Sequence, residues 1–226
     1  MRVSAIIVAA GSGARLGART AKAFVTLGGA PLLTLALRTA GAVSTIDEVI
    51  VAIPAGMERE ARRASELAGL AIPLKTIAGG AERQDSVRIA LELTSAESEF
   101  VIVHDAARPF ATAAMLEAAL AKAAEVAAAI VAVPVADTLK RVEDGIIGAT
   151  IARAGLWQAQ TPQAFRRELL MRAHQWALRE GIAATDDADL VARLGAPVAI
   201  VKGSTLNFKI TTPDDRRLAE ALAAAR

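Results

Sequence analysis

The chain of 226 residues contains no cysteine. Disulfides, thiolate nucleophiles and cysteine-based metal sites are therefore excluded, and the composition suits a reducing cytoplasm. Aromatic residues make up only 3% of the sequence, and no run of lysine and arginine is interleaved with them. With 26 basic against 24 acidic residues the net charge is +2. A nucleic-acid-binding face is therefore not expected, although the pI is near 9.3. No uninterrupted apolar run reaches the ~18 residues that a membrane-spanning helix needs. The mean hydropathy of +0.38 comes largely from alanine and signals no membrane protein. The start, "MRVSAIIVAAGSG", has a short apolar run followed by glycines, and reads as a first strand rather than a signal peptide.

What is present is an alternation of short apolar runs with helical stretches. "VSAIIVA" (3–9), "EVIVAIP" (48–54), "IPLKTIA" (72–78), "FVIVHDA" (100–106) and "AAIVAVPV" (128–135) are mostly continuous and apolar, which predicts strands buried on both faces. Helices are expected at about 31–41, 57–69, 84–95 and 112–126, with Pro31 in a first turn and Thr112 as a cap. The pattern predicts one α/β domain over residues 1–226, a three-layer sandwich around a mostly parallel sheet. The beat stops after Pro134. Residues 136–158 alternate polar and apolar around an Asp144-Gly145 turn, and read as an extended hairpin. Such a hairpin is marginal alone; it either folds back on its own domain or reaches a second subunit. Beyond it, helix (163–180), strands (198–202 and 206–210) and a final helix (214–225) are expected.

The first strand runs into "AAGSGARLGARTAK", residues 9–22. Glycines let backbone amides approach oxygens closely, so a strand, a glycine-rich loop and basic residues suit an anion. The dinucleotide fingerprint G-x-G-x-x-G does not fit, because the third glycine, Gly17, falls one residue late. The acid expected at the end of the second strand is also missing from "VAIPAGM". The loop is either a triphosphate clamp built on Arg15 and Lys22, an Arg fork and a Lys point charge, or a solvated loop with incidental basic residues.

Further motifs follow in order: "GGAERQDSV" (79–87), "VHDAARPF" (103–110), "PVADTLK" (134–140), "LWQAQTPQAF" (156–165), "TDDADLV" (185–191) and "NFKITTPDD" (207–215). The first loop resembles that of sugar-phosphate nucleotidyltransferases. The whole set resembles the 2-C-methyl-D-erythritol 4-phosphate cytidylyltransferases of the non-mevalonate isoprenoid pathway, over nearly the full chain.

The resemblance implies a Rossmann-like, nucleotide-diphospho-sugar transferase-like sheet with residues 136–158 as a protruding dimerisation arm. It implies transfer of CMP from CTP to methylerythritol phosphate with release of pyrophosphate; transfer to another polyol phosphate, such as ribitol 5-phosphate, is the alternative. Arg15, Lys22 and Lys209 would be catalytic cations. Ala10, Gly11, Gly13, Gly80, Ser86 and Asp105 would hold CTP, with Arg83 and Asp85 nearby. Asp105, Arg108, Thr138, Arg153 and Thr161 would hold the acceptor, Thr138 and Arg153 from a partner's arm in a homodimer. Mg²⁺ or another divalent cation would be held mainly by the CTP phosphates, with Asp105 as a further ligand; no residue cluster suggests a dedicated cage.

Plainer roles compete at several positions. Asp85 or Ser86 is a natural helix cap, and Asp105 and Arg108 suit a structural ion pair. Asp186 and Asp187 read as helix N-terminal acids. His104 reads as a hydrogen-bonded strand-end residue rather than a base, because a phosphate monoester is already ionised at neutral pH. The family usually places proline before the loop lysine. Ala21 stands there instead, which predicts a more mobile Lys22 and a loss of roughly 0.4–1 kcal/mol of pre-ordering.

Overall fold

The computed structural model describes every residue except 12, 14, 15, 17–19 and 226. Eleven strands and seven α-helices are described: β1 (Val3–Val8), β2 (Thr26–Leu27), β3 (Ala30–Pro31), α1 (Leu32–Gly41), β4 (Ile46–Ile53), α2 (Glu58–Ala68), β5 (Leu74–Ala78), α3 (Arg83–Glu92), β6 (Phe100–Asp105), α4 (Ala113–Val126), β7 (Ala128–Pro134), β8 (Leu139–Glu143), β9 (Ile146–Ile151), β10 (Trp157–Arg166), α5 (Arg167–Glu180), α6 (Asp187–Arg193), β11 (Ala199–Lys202) and α7 (Pro213–Ala224). Seven strands form one sheet in the order β11-β7-β10-β6-β1-β4-β5. β10 runs antiparallel to both its neighbours, and every other pairing in that sheet is parallel.

Side chains alternate across a strand, and here they divide into two cores. Val49 and Val51 of β4 and Ile102 of β6 pack with Leu33, Ala64 and Leu116 of α1, α2 and α4. Ile50 of β4 and Val101 and Val103 of β6 pack with Val87, Leu170 and Val191 of α3, α5 and α6. Helices therefore cover both faces of the sheet, which is why β1, β4, β6 and β7 read as unbroken apolar runs. β5 departs from that expectation: it is the edge strand, and none of its residues is fully buried. A third cluster of Leu16, Val25, Leu27, Phe110 and Ile210 with Ala219 of α7 seats the loops at one end of the molecule.

Three further expectations change. The helix expected at 163–180 begins only at Arg167, as α5, and "LWQAQTPQAF" forms the interior strand β10. Its polar residues conceal it, and pairing with β6 and β7 defines it. Residues 206–210 form no strand. Pro31 precedes α1 as its N-cap rather than standing in its first turn. Thr112 caps α4 as expected, its hydroxyl accepting from the Met115 amide. β8 and β9 pair only with each other, and nearly every residue of both is exposed.

Candidate functional site

β1 has β4 on one side and β6 on the other, so successive crossovers leave it in opposite directions. Ligands of open α/β sheets bind at the carboxyl ends of strands where the order reverses in this way. A cleft of about 430 Å³ lies there. Ala9, Ala10 and Gly11 after β1, and Asp105, Ala106 and Ala107 at the end of β6, form its floor. Gly80 to Arg83 and Ser86 at the start of α3 form one wall, and Lys22 and Lys209 complete the lining.

Backbone geometry explains two of the glycines. Gly13 has φ +73°, and a Cβ there would come within 2.8 Å of the Lys22 Cβ. The close return of the chain at Lys22 therefore requires glycine at 13. A Cβ on Gly80 would meet the Asp85 Cβ at 2.2 Å. Glu82, not Asp85 or Ser86, is the N-cap of α3; Asp85 answers it as the other half of a capping box. Ser86 is buried beneath this turn, its hydroxyl accepting from the Gly80 amide at 3.1 Å and donating to the Glu82 carbonyl at 3.1 Å. Ala21 has φ −59° and ψ 141°, a torsion that proline would also impose, so alanine here leaves the approach to Lys22 unaltered in shape.

A chain of alternating charges runs along the cleft. Lys209 Nζ lies 2.6 Å from Asp105 Oδ2, and Arg83 Nε lies 3.0 Å from Asp105 Oδ1. Arg83 Nη1 continues to Asp187 Oδ2 at 2.8 Å, and His174 Nε2 donates to Asp187 Oδ1 at 3.0 Å. Burial alone would raise the Asp105 and Asp187 carboxyls; the Arg83 charge between them outweighs it and holds both well below the usual carboxylate range. Lys209 adds to the effect on Asp105. Both acids are therefore ionised at neutral pH. Burial would likewise depress the Arg83 guanidinium, but Asp187 and Asp105 raise it.

His104 and Thr161 lie behind Asp105. The Thr161 hydroxyl accepts from the Asp105 amide at 3.0 Å and lies 3.0 Å from His104 Nδ1. A bulge in the β10–β7 pairing between Ala159 and Gln163 turns Thr161 toward this position. Burial, reinforced by Arg108 and Arg83 against the opposing pull of Asp105, lowers the His104 imidazole from 6.5 to about 4. It is a neutral, enclosed group and not a base.

Between those two values the unfolded chain binds a proton that the folded chain excludes. Wild-type stability therefore falls as the pH drops from 6.5 to 4. At ~1.4 kcal/mol per pH unit the loss is ~3 kcal/mol. Urea denaturation at pH 7 and pH 4.5 should show His104→Asn less stable at pH 7 but losing less over the interval; equal losses would contradict this assignment.

Arg108 donates from Nη1 to the Asn207 carbonyl at 2.7 Å and from Nη2 to the Ala159 carbonyl at 3.3 Å. Arg83 Nη2, His104 Nε2, Arg108 Nε and Asn207 Oδ1 are buried without a partner among the described residues. Buried polar atoms are normally satisfied; Arg88 Nε, Gln163 Oε1 and His174 Nδ1 are the other exceptions among the described residues. The described residues contain no group of three or more His, Cys, Asp or Glu that could hold a metal ion. Both Asp105 oxygens already take cations. A divalent ion borne on a ligand's phosphates fits this donor set, and a resident one does not.

Of the sequence-predicted residues, Ala10, Gly11, Lys22, Gly80, Ser86, Asp105 and Lys209 meet at the cleft, with Gly13 behind Lys22. Arg108 and Thr161 adjoin it through Asp105: the Arg108 amide donates to the Asp105 carbonyl at 3.0 Å. Thr138 and Arg153 are exposed near the base of the arm and do not line the cleft of their own chain. Arg15 lies outside the described residues. Sequence reasoning left Asp187 as a helix N-terminal acid. Both acids do stand at the N-terminus of α6, Asp186 as its cap and Asp187 in its first turn, but Asp187 in addition holds Arg83 across 104 residues of sequence. His174 and Asn207 also went unread. The signal available for Asn207 was its place two residues before Lys209.

Comparison with known proteins agrees with the geometry. The family model described as 2-C-methyl-D-erythritol 4-phosphate cytidylyltransferase matches residues 3–224. The protein of that name from Deinococcus radiodurans is 50% identical over 221 residues, covering 98% of this chain and 89% of its own length. Its counterpart from Symbiobacterium thermophilum is 47% identical, covering 97% and 92%. The crystal structure of the Thermus thermophilus cytidylyltransferase superposes with a TM-score of 0.83 at 40% identity, covering 99% of this chain and 100% of that one. The 4-diphosphocytidyl-2C-methyl-D-erythritol synthase of Anaerococcus prevotii gives 0.86 at 30% identity, covering 100% and 99%.

Proposed function

The chain belongs to the 2-C-methyl-D-erythritol 4-phosphate cytidylyltransferase family, and from that premise we propose how its own residues divide the work. The reaction is that of the family: CTP and methylerythritol phosphate give the cytidine diphosphate alcohol and pyrophosphate, in the non-mevalonate isoprenoid pathway. An oxygen of the acceptor phosphate attacks the α-phosphorus of CTP. The bond from that phosphorus to the bridging oxygen breaks, and pyrophosphate leaves with its electrons. The attacking oxygen is ionised before it arrives, so no group need take a proton, in keeping with an enclosed His104 held near 4.

The observation that carries the assignment is the chain Lys209–Asp105–Arg83 on one side of the cleft, facing Lys22 on the first loop. Lys22, with Arg15, neutralises the CTP triphosphate and the departing pyrophosphate. The backbone at Ala10, Gly11, Gly13 and Gly80 shapes the nucleotide's seat, and Ser86 holds the turn that carries Gly80. Lys209 and Arg108 face the acceptor phosphate, with Asp105 and Thr161 fixing their places. Mg²⁺ carried by the CTP phosphates would screen charge in the triphosphate, while Asp105 stays paired with Arg83 and Lys209.

The arm supports a homodimer. Val142, Ile146 and Ile147 are 52%, 74% and 61% exposed on a two-stranded sheet that pairs with no other described strand, and an isolated two-stranded sheet is marginal in water until something packs against it. In the dimer, Thr138 and Arg153 reach the acceptor in the partner's cleft. The need for CTP supports a cytoplasmic location. Incubation with CTP, Mg²⁺ and a panel of polyol phosphates, following pyrophosphate, tests the reading. Release is expected with methylerythritol phosphate, from a species that sediments as a dimer. Release with ribitol 5-phosphate alone would overturn the acceptor assignment, and full activity as a monomer would overturn the shared site.

A further inference from the structure

We propose that Asn207 is a positioning residue for the acceptor phosphate, fixing Lys209 and Arg108 together through its carboxamide and its own carbonyl. The inference rests on the reading that Lys209 and Arg108 face that phosphate. Residues 203–212, between β11 and α7, form neither strand nor helix; after Lys209 a single backbone bond, from the Ile210 amide to the Ala107 carbonyl at 2.9 Å, holds the segment. Before Lys209, Asn207 holds it by its side chain. It is 0% exposed. Its Nδ2 donates to Gln160 Oε1 and to the Thr161 carbonyl, both at 3.0 Å. One atom thus pins the Lys209 segment to the bulge of β10 that turns Thr161 toward Asp105. The Asn207 carbonyl in turn accepts from Arg108 Nη1 at 2.7 Å. Two cations on separate segments are registered against each other through a single residue.

The chemistry demands a primary amide. Two hydrogens on one nitrogen meet two acceptors. Aspartate has the same shape but would direct oxygen at Gln160 Oε1 and the Thr161 carbonyl. Gln160 cannot answer by turning its amide, because its Nε2 donates to the Ser204 carbonyl at 2.9 Å. The amide places the loop, so its loss acts on substrate contacts made by Lys209 and Arg108 rather than on the nucleotide's seat at Gly11 and Gly80, which Asn207 does not touch.

Steady-state kinetics of Asn207→Asp, Lys209→Ala and the double variant test this. Asn207→Asp should raise KM for methylerythritol phosphate by about tenfold or more and leave KM for CTP within about twofold. The double variant should lose less than the product of the two single losses, since Asn207 acts in part through Lys209 and in part through Arg108. Equal rises in both KM values, or losses that multiply in the double variant, would overturn the proposal. A Lys209→Ala enzyme of wild-type activity would instead overturn the functional reading beneath it. Should Asn207→Asp not fold, Gln160→Leu removes one of the two acceptors and should raise the same KM several-fold, again without moving that for CTP; no selective rise there would also count against Asn207.

Discussion

Lys209→Ala is expected to lower kcat/KM by a factor of roughly 10²–10³, the usual loss when one preorganised group facing transition-state charge is removed. Lys209 is suited to such a loss because its charge is held before substrate arrives. Its ammonium sits 2.6 Å from a carboxylate that is 7% exposed, while the lysine itself is 40% exposed and open to the cleft. Little reorganisation is then needed at the moment of reaction. Stability should change far less. Half-exposed ion pairs contribute ~0–1 kcal/mol, and Asp105 retains Arg83 at 3.0 Å. Thermal melting and steady-state kinetics on the same sample separate the two effects. A variant that melts like wild type and turns over within about fivefold of it would remove Lys209 from the catalytic group.

Arg83→Met has the opposite profile, with its largest effect on the fold. Arg83 is the shared cation of two buried acids, Asp105 and Asp187. Its removal leaves Asp187, 1% exposed, with only His174. Breaking a buried pair from one side costs ~3–5 kcal/mol, a large part of the ~5–15 kcal/mol that stabilises a typical domain. The pH dependence carries a definite sign. In the wild type both carboxyls are depressed, so their stabilisation is present above about 4 and lost as the pH falls through the lower folded values. Without Arg83, burial dominates Asp187 and its folded value rises above the unfolded one. The variant is then most handicapped at pH 7, and the deficit narrows toward pH 5 as Asp187 takes up a proton. Urea denaturation at the two pH values measures this, and adding Asp187→Asn should restore much of the loss. A deficit under about 1 kcal/mol, or one that widens toward pH 5, would show that Arg83 does not hold this network together.

The parts legible in the sequence were those governed by local physics. β1, β4, β6 and β7 are apolar runs because helices cover both sheet faces, and Thr112 caps a helix wherever that helix lies. In the first loop, the glycine at 13 has a local cause, the close return of the chain at Lys22. β10 was illegible because Gln160, Thr161 and Gln163 are buried polar residues whose partners are distant: Asn207, His104 and Asp186. The role of Asp187 was hidden for the same reason, since nothing near it in sequence announces Arg83. The segment 206–210 misled in the reverse sense. Its apolar character reflects burial of Ile210 and packing of Phe208 in the third cluster, but the side chain of Asn207 and one backbone bond at Ile210 hold it in place of a strand ladder.

The arm opens from the centre of the sheet and not from its edge. It leaves at the end of β7 and re-enters at the start of β10, two strands paired side by side, with Pro134 opposite Trp157 and the Val135 amide bonded to the Leu156 carbonyl. In topological terms it is an enlarged hairpin loop whose base is already closed. Lengthening such a loop costs only ~0.6 kcal/mol per doubling, and the strands below it need not move. If Thr138 and Arg153 contact the acceptor as proposed, grafting 136–156 from a relative would change those contacts while leaving the strands of the nucleotide cleft in place.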